Sequence, residues 1–306
     1  QRLPGVRKIY RWYLPLYPWA VESLDLRGFD LIVSSSHCVA KGANPPRGAL
    51  HICYCHTPMR YVWDRFPDYF GNGIKSRLVY GPIAARLRRW DVASADRVHS
   101  FVANSRHVAR RIEKYYDRKV DAVIYPPVDT DAFIPGEGAP EDYYLIVSAL
   151  VPYKRLDLAI DAFRRRPERL LIVGTGPEEK RLRERSPANV HFLGGLSRTE
   201  LLPVYQRCRA TLLPGVEDFG IAPVESQACG RPVVAFAEGG ALESVRDGET
   251  GVFFAERSPQ ALSDAIDRVS SLRSNRETLR SWAQGFSRQR FMSEMRAFVD
   301  RKLAGE

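Results

Sequence analysis

The stretch Tyr143-Tyr144-Leu145-Ile146-Val147-Ser148, running on into Ala149-Leu150-Val151-Pro152-Tyr153-Lys154-Arg155, decides the fold. Its apolar run is unbroken rather than alternating, as expected of a strand covered on both faces. Runs of the same kind recur at 170–173, 190–193, 210–213, 232–236 and 251–254. Helical periods lie between them. Leu156, Ala159, Ile160 and Phe163 follow the spacing of one buried helix face. Ser197-Arg198-Thr199-Glu200 reads as a capping box, and Ser258-Pro259 as a cap with proline at the first helical position. Six strands alternating with helices predict a complete doubly wound α/β domain.

Ahead of position 143 the same grammar is thinner. Strands are expected at 31–34, 50–54, 98–103 and 120–125, with helices around 77–95 and 106–115. The Pro-, Gly- and Asp-rich stretch from Pro126 to Pro140 reads as the linker. The expected division is therefore 1–133, joined by a C-terminal helix over 286–306, and 134–285.

Composition narrows the function classes. The 306 residues are 44% hydrophobic and 27% charged, which describes a globular chain and excludes collagen-like, coiled-coil and wholly disordered ones. A net charge of +10 favours anionic company, whether nucleotides, nucleic acid or an acidic membrane face. No nucleic-acid-binding module is recognisable, so nucleic acid is not an expected partner. No apolar run reaches the roughly 18 residues that span a bilayer. The five cysteines fit no metal spacing, and Cys53-x-Cys55 is read as placing one thiol on each side of a strand, against a chelate. Free buried thiols and the lack of a secretory signal suit a reducing compartment; the expected location is cytoplasmic or peripheral at the inner membrane face.

The chemistry gathers at expected strand ends. Glu217-Asp218-Phe219-Gly220-Ile221-Ala222-Pro223-Val224-Glu225 follows the fourth strand of the second half and opens a helix. A helix start beyond the carboxyl end of a parallel strand offers free N–H groups and the positive dipole end to an anion. Gly220 allows close backbone approach, and Glu217 and Glu225 are candidate acceptors for sugar hydroxyls. Lys154 and Arg155 follow the first strand of that half, Gly174-Thr175-Gly176 the second, Phe192-Leu193-Gly194-Gly195 the third and Glu238-Gly239-Gly240 the fifth. Open α/β sheets bind ligands at this edge. Arg86, Arg88, Arg89, Arg106, Arg110 and Arg111 crowd the first half, and the segment from Arg7 to Trp19 mixes cations with aromatics. That mixture suits a membrane interface or, equally, a partly satisfied core with a solvated face.

These segments together resemble the GT-B glycosyltransferases of family 4 over essentially the whole chain. Glu217 and Glu225 match its E-x7-E signature; SALVPYKRLD, VGTGPE, FLGGLS and GRPVVAFAEGGALE match its donor-domain segments in order. SSSHCVAKG, CYCHTPMRYVWD, FVANS and YPPVDTDAF are similar to bacterial mannosyltransferases that build O-antigen or capsule polysaccharide. The resemblance implies two Rossmann-like domains and transfer of a sugar, with GDP-mannose the expected donor, with retention and without a metal ion or other cofactor. The acceptor would be a glycan or a polyprenyl-linked glycan. By the same resemblance Lys154 and the N–H groups of Phe219, Gly220 and Ile221 contact the diphosphate, with Arg155, Gly174 and Gly176 alongside. Glu225 binds the ribose, Glu217 the sugar, and the backbone at Phe192 and Leu193 the base. His56 is placed near the anomeric centre, whereas His51 reads as a satisfied core histidine.

Two departures stand out. The family's arginine before the lysine is Ala149 here: either Arg155 or another cation partly substitutes, or donor binding is weakened, roughly 10- to 100-fold for one lost charge-assisted hydrogen bond. The first half also has fewer strands than a full doubly wound unit, so roughly 60–80 residues are expected to be missing from an incomplete N-terminal domain. The alternative reading is an impaired remnant that binds a sugar nucleotide without turning it over.

Overall fold

In the computed structural model, residues 10–66, 71, 73–273 and 275–305 are described. Arg7 and Lys8, at the start of the aromatic and cationic segment, lie outside them. Two units emerge: 1–124 with 297–306, and Tyr125–Arg296.

In the first unit β1 (Leu31–Ser36), β2 (Leu50–Cys55), β3 (Ser100–Ala103) and β4 (Ala122–Val123) form a parallel sheet in that order. Among the described residues its α-helices include α1 (Tyr17–Glu22), α2 (Ile74–Ala93) and α3 (Arg106–Tyr116). Ser105 caps α3 by accepting from the Val108 N–H, and Asp117 ends it in the left-handed conformation. Cys53 and Cys55 share one buried cluster with Phe101, Val108 and Ile112. That corrects the expectation of opposite sides, because residues two apart in a strand project to the same face. All five cysteines are buried free thiols. Among the described residues, no cluster of three His, Cys, Asp or Glu side chains could hold a metal.

The second unit carries β5 (Tyr143–Val147), β6 (Arg169–Val173), β7 (Val190–Gly194), β8 (Thr211–Leu213), β9 (Val233–Phe236) and β10 (Gly251–Phe254). All pairings are parallel, in the order β10-β9-β8-β5-β6-β7. Both faces are covered, as the unbroken runs require. Tyr144 and Ile146 pack with Phe163 and Leu262 on one side, and Tyr143 and Leu145 with Tyr205, Val224 and Phe286 on the other. The helices are α4 (Leu156–Phe163), α5 (Glu179–Arg185), α6 (Arg198–Arg207), α7 (Ile221–Ala228), α8 (Ala241–Ser244), α9 (Pro259–Ser270), α10 (Arg276–Gln284) and α11 (Arg288–Leu303). The Ser197–Glu200 capping box and the Ser258 cap with Pro259 both form. Arg166 joins Glu168, Asp267 and the Ser263 hydroxyl.

The boundaries differ from those expected. The first unit stops at Ile124 because Val128 donates to the Phe286 carbonyl at 2.9 Å and Phe133 lies in the second unit's core. The chain returns to the first unit at Ala297, within α11, and there Phe298 is buried and Lys302 pairs with Asp121 at 3.1 Å. No helix among the described residues is long and apolar enough to cross a membrane.

Candidate active site

The strand order reverses direction between β5 and β8, and the crevice outside such a switch point is where open α/β sheets hold ligands. The loop after β5 turns through a short 3-10 segment, Pro152–Lys154, and leaves it at Arg155, which takes the left-handed conformation with φ 54°. The loop after β8 runs from Pro214 to Gly220 and opens α7.

Glycines lock these loops together. A Cβ on Gly215 would lie 2.7 Å from the Lys154 Cα, and one on Gly240 would lie 2.3 Å from the Phe219 Cα. The Gly240 N–H donates to the Glu217 carbonyl at 2.8 Å. Gly174 and Gly176 play the same part for the β5 loop, where added carbons would come within 1.9 Å of the Ser148 carbonyl oxygen and 2.3 Å of that of Leu150. Their first effect is to let two strand-end loops touch backbone to backbone. Gly215 went unnoticed in the sequence, although Pro214-Gly215 directly after a strand is its signal.

A Gly240→Ala variant is expected to lose about 1–3 kcal/mol in a urea melt, because the new methyl meets backbone that cannot rotate away. Gly195→Ala is the control, since its nearest neighbour would be the Thr175 methyl at 3.9 Å. Equal melts for the two would refute the clamp.

The loops bring Lys154 and Glu217 into an ion pair whose side chains are 14% and 16% exposed. α7 opens on Gly220 with φ 93° and no side-chain cap, unlike α3, α6, α9 and α10. The N–H groups of its first turn have no partner within the helix, and α7 starts at the end of the loop that carries Glu217. The Phe219 ring is committed to the core, stacked with Tyr125 at 5.6 Å, so only its backbone is available for binding. Arg155 is paired with Asp157 at 3.1 Å, and Ala149 is exposed.

Glu225 lies on α7, where its Oε2 accepts from the Tyr205 hydroxyl at 2.9 Å. Burial raises the Glu225 carboxyl above its usual range; the Tyr205 bond and the Arg198 charge pull it partly back, and Asp129 opposes them. Tyr205 is fully buried, and burial with the Glu225 charge raises its own pKa well above the usual value, so it stays a donor. Asp129, itself bridged by Arg198 and by Arg288 at 3.1 Å, was missed in the sequence reading. At the end of β7, Phe192 lies under the Arg183 guanidinium at 4.7 Å, and Leu193 is exposed.

His56 belongs to the first unit, directly after β2. Its Nε2 is 2.8 Å from the Ser35 hydroxyl, and its ring meets Tyr54 edge-on at 5.1 Å. His51 is the satisfied core histidine, held by Ser34 at 2.9 Å and the Arg97 carbonyl at 3.0 Å, and burial lowers its pKa.

Residues 128–285 match the family model described as Glycosyl transferases group 1, and residues 1–132 that of Glycosyltransferase Family 4. A D-inositol 3-phosphate glycosyltransferase of Mycobacterium leprae (strain Br4923) is 34% identical over 208 residues, covering 59% of this chain and 47% of its own length. The chain thus spans about half the length of the curated relatives it matches. Among solved structures, sucrose-phosphate synthase of Thermosynechococcus elongatus matches with a TM-score of 0.76 at 19% identity, covering 100% of this chain and 82% of that one. HepE of Anabaena, solved in complex with UDP, matches at 0.63 and 22% identity, covering 83% and 79%. These likenesses make the fold GT-B, with two Rossmann-like parallel-sheet domains.

Proposed function

The chain belongs to the group 1 glycosyltransferases, and on that premise we propose that it transfers a sugar from a nucleoside-diphosphate donor, with retention and without a metal ion. The observation that carries the reading is the Lys154–Glu217 pair at the β5/β8 switch point, beside the uncapped start of α7. Departure of the leaving group puts negative charge on the diphosphate, and a fixed ammonium with helix N–H groups is suited to receive it. Glu217 then meets the sugar, Glu225 the ribose hydroxyls, the backbone at Phe192 and Leu193 the base, and His56 the reacting end of the sugar. Arg155 takes over part of the charge that an arginine at position 149 would supply.

GDP-mannose is the donor we propose, on the likeness of the first-half motifs, with a glycan or lipid-linked glycan in surface polysaccharide synthesis as acceptor and a peripheral membrane contact. The relatives named for inositol 3-phosphate favour a second acceptor class, a phosphorylated polyol.

Thermal-shift titration with GDP- and UDP-sugars, followed by transfer assays in the presence of a chelator, tests the reading. Stabilisation by one nucleotide class and transfer that survives chelation are expected; no shift with any nucleotide overturns the donor site. The shift should also depend on pH. Ribose hydroxyls donate to an ionised Glu225, so affinity is expected to fall as pH drops through a midpoint above the ordinary 4.5. Glu225→Gln removes that titration. A raised carboxyl pKa has the opposite sign for folding: its contribution is full below 4.5 and is lost as pH rises through the folded-state value.

A further inference from the structure

Helix α2 carries none of the residues placed at the candidate site, and one of its faces is open. Ile74, Leu78 and Val79 are 78%, 71% and 60% exposed, and Ile83 and Val92 extend the exposed apolar surface. At 3.6 residues per turn, Ile74, Leu78, Ala85, Arg89 and Val92 share one side, flanked by Pro82, Arg86 and Val79. Ala84, Leu87 and Asp91 are buried on the other. The helix has a single acid in its sequence, Asp91, and it is on that buried side. The outward face is therefore apolar and cationic, with no carboxylate of its own. Trp19 is 72% exposed on α1, whose Glu22 accepts from the Trp90 indole at 2.7 Å. Not every arginine in this half is available to a partner. Arg88 donates to the Val62 carbonyl, and Arg111 holds Thr57 at 2.6 Å and pairs with Asp64.

We propose that this face of α2 docks the protein on a bilayer surface carrying anionic headgroups. Exposed Ile, Leu and Val side chains enter the boundary between headgroups and acyl chains, while Arg86 and Arg89 remain at the phosphates. The choice of a lipid surface rests on charge complementarity: an acid-free, arginine-bearing apolar face on a chain of net charge +10. The proposal deepens the peripheral-membrane part of the functional reading by naming the surface, and it stands apart from the donor site.

The test is co-sedimentation with phosphatidylcholine vesicles, with and without phosphatidylglycerol. Binding is expected only to the anionic vesicles and is expected to weaken as salt shortens the Debye length. Arg86→Glu with Arg89→Glu, and separately Leu78→Ser with Val79→Ser, should each reduce the partition coefficient by roughly tenfold or more. All four positions are exposed, so melting temperatures and the nucleotide-induced shift should stay as in the parent. Equal binding to neutral vesicles, no binding to either, or variants that bind like the parent would overturn the proposal. So would a concentration-dependent dimer by sedimentation that Leu78→Ser dissolves, which would make the face a contact between copies of the chain. A lost nucleotide shift with vesicle binding intact would count against the donor site alone.

Discussion

Lys154→Ala is expected to lower kcat/KM for sugar transfer by roughly 10²–10³-fold, the scale on which a single preorganised charge stabiliser acts. Part of the loss should appear as weaker binding of the nucleoside diphosphate, since a charge-assisted hydrogen bond contributes about 1.5–3 kcal/mol. The rest should appear in kcat, because charge on the diphosphate grows as the bond to the sugar breaks. The ion pair makes the partner variant behave differently. Glu217 pairs with Lys154, so a diphosphate at that ammonium competes with a carboxylate. Glu217→Ala should therefore bind the bare nucleotide as tightly as the parent or more so, and still lose transfer. Steady-state kinetics and nucleotide titrations on both variants and their double check this opposition. A Lys154→Ala enzyme within threefold of the parent would refute the assignment.

The second large effect lies in the other unit. Asp91→Ala is expected to destabilise the first unit by about 3–5 kcal/mol, because it strands a buried ammonium. Lys41 and Asp91 are 1% and 0% exposed and meet at 3.1 Å. The second carboxylate oxygen accepts from the Trp63 indole at 2.8 Å and the Tyr116 hydroxyl at 3.0 Å, and the ammonium also reaches Ser94 at 2.6 Å. The Lys41 Nζ lies 4.6 Å from the Tyr116 ring centroid. A chain of two units need not melt in one step; the first-unit transition should fall by on the order of 10 °C, with the nucleotide-induced shift of the second retained. Replacing both partners with apolar residues should not restore stability, since Trp63 and Tyr116 would be left without their acceptor. An Asp91→Ala chain that melts like the parent would refute the network.

The second sheet was almost fully legible in the sequence. A parallel strand buried on both faces needs a continuous apolar run, and β10 appears at the very residues read, Gly251–Phe254. β4 was harder: a strand expected over 120–125 forms only at Ala122–Val123, where pairing with β3 is confined to two residues. The candidate site was legible as a set of strand ends, because glycine, cation and carboxylate recur at successive carboxyl ends of one parallel sheet. Which ends touch was not. Nothing in Pro214-Gly215 or Gly239-Gly240 says which backbone will press against them, since that depends on the order β9-β8-β5 in space. Lys41 and Asp91 were illegible for a related reason: a charged residue reads as solvent-facing until its partner, fifty residues away, is known. The misreading of Cys53 and Cys55 was one of periodicity, not of missing information.

The return of the chain to the first unit at Ala297 has a consequence for synthesis. The second unit, Tyr125–Arg296, is continuous, so every residue it needs has been made before the ribosome reaches position 297. The first unit does not have that freedom. It begins to emerge earlier, yet the Lys302–Asp121 pair and the buried Phe298 reach it only after the whole second unit has been translated. The second unit can therefore fold first although it is made second, and β1 to β4 must wait with their final helix segment absent.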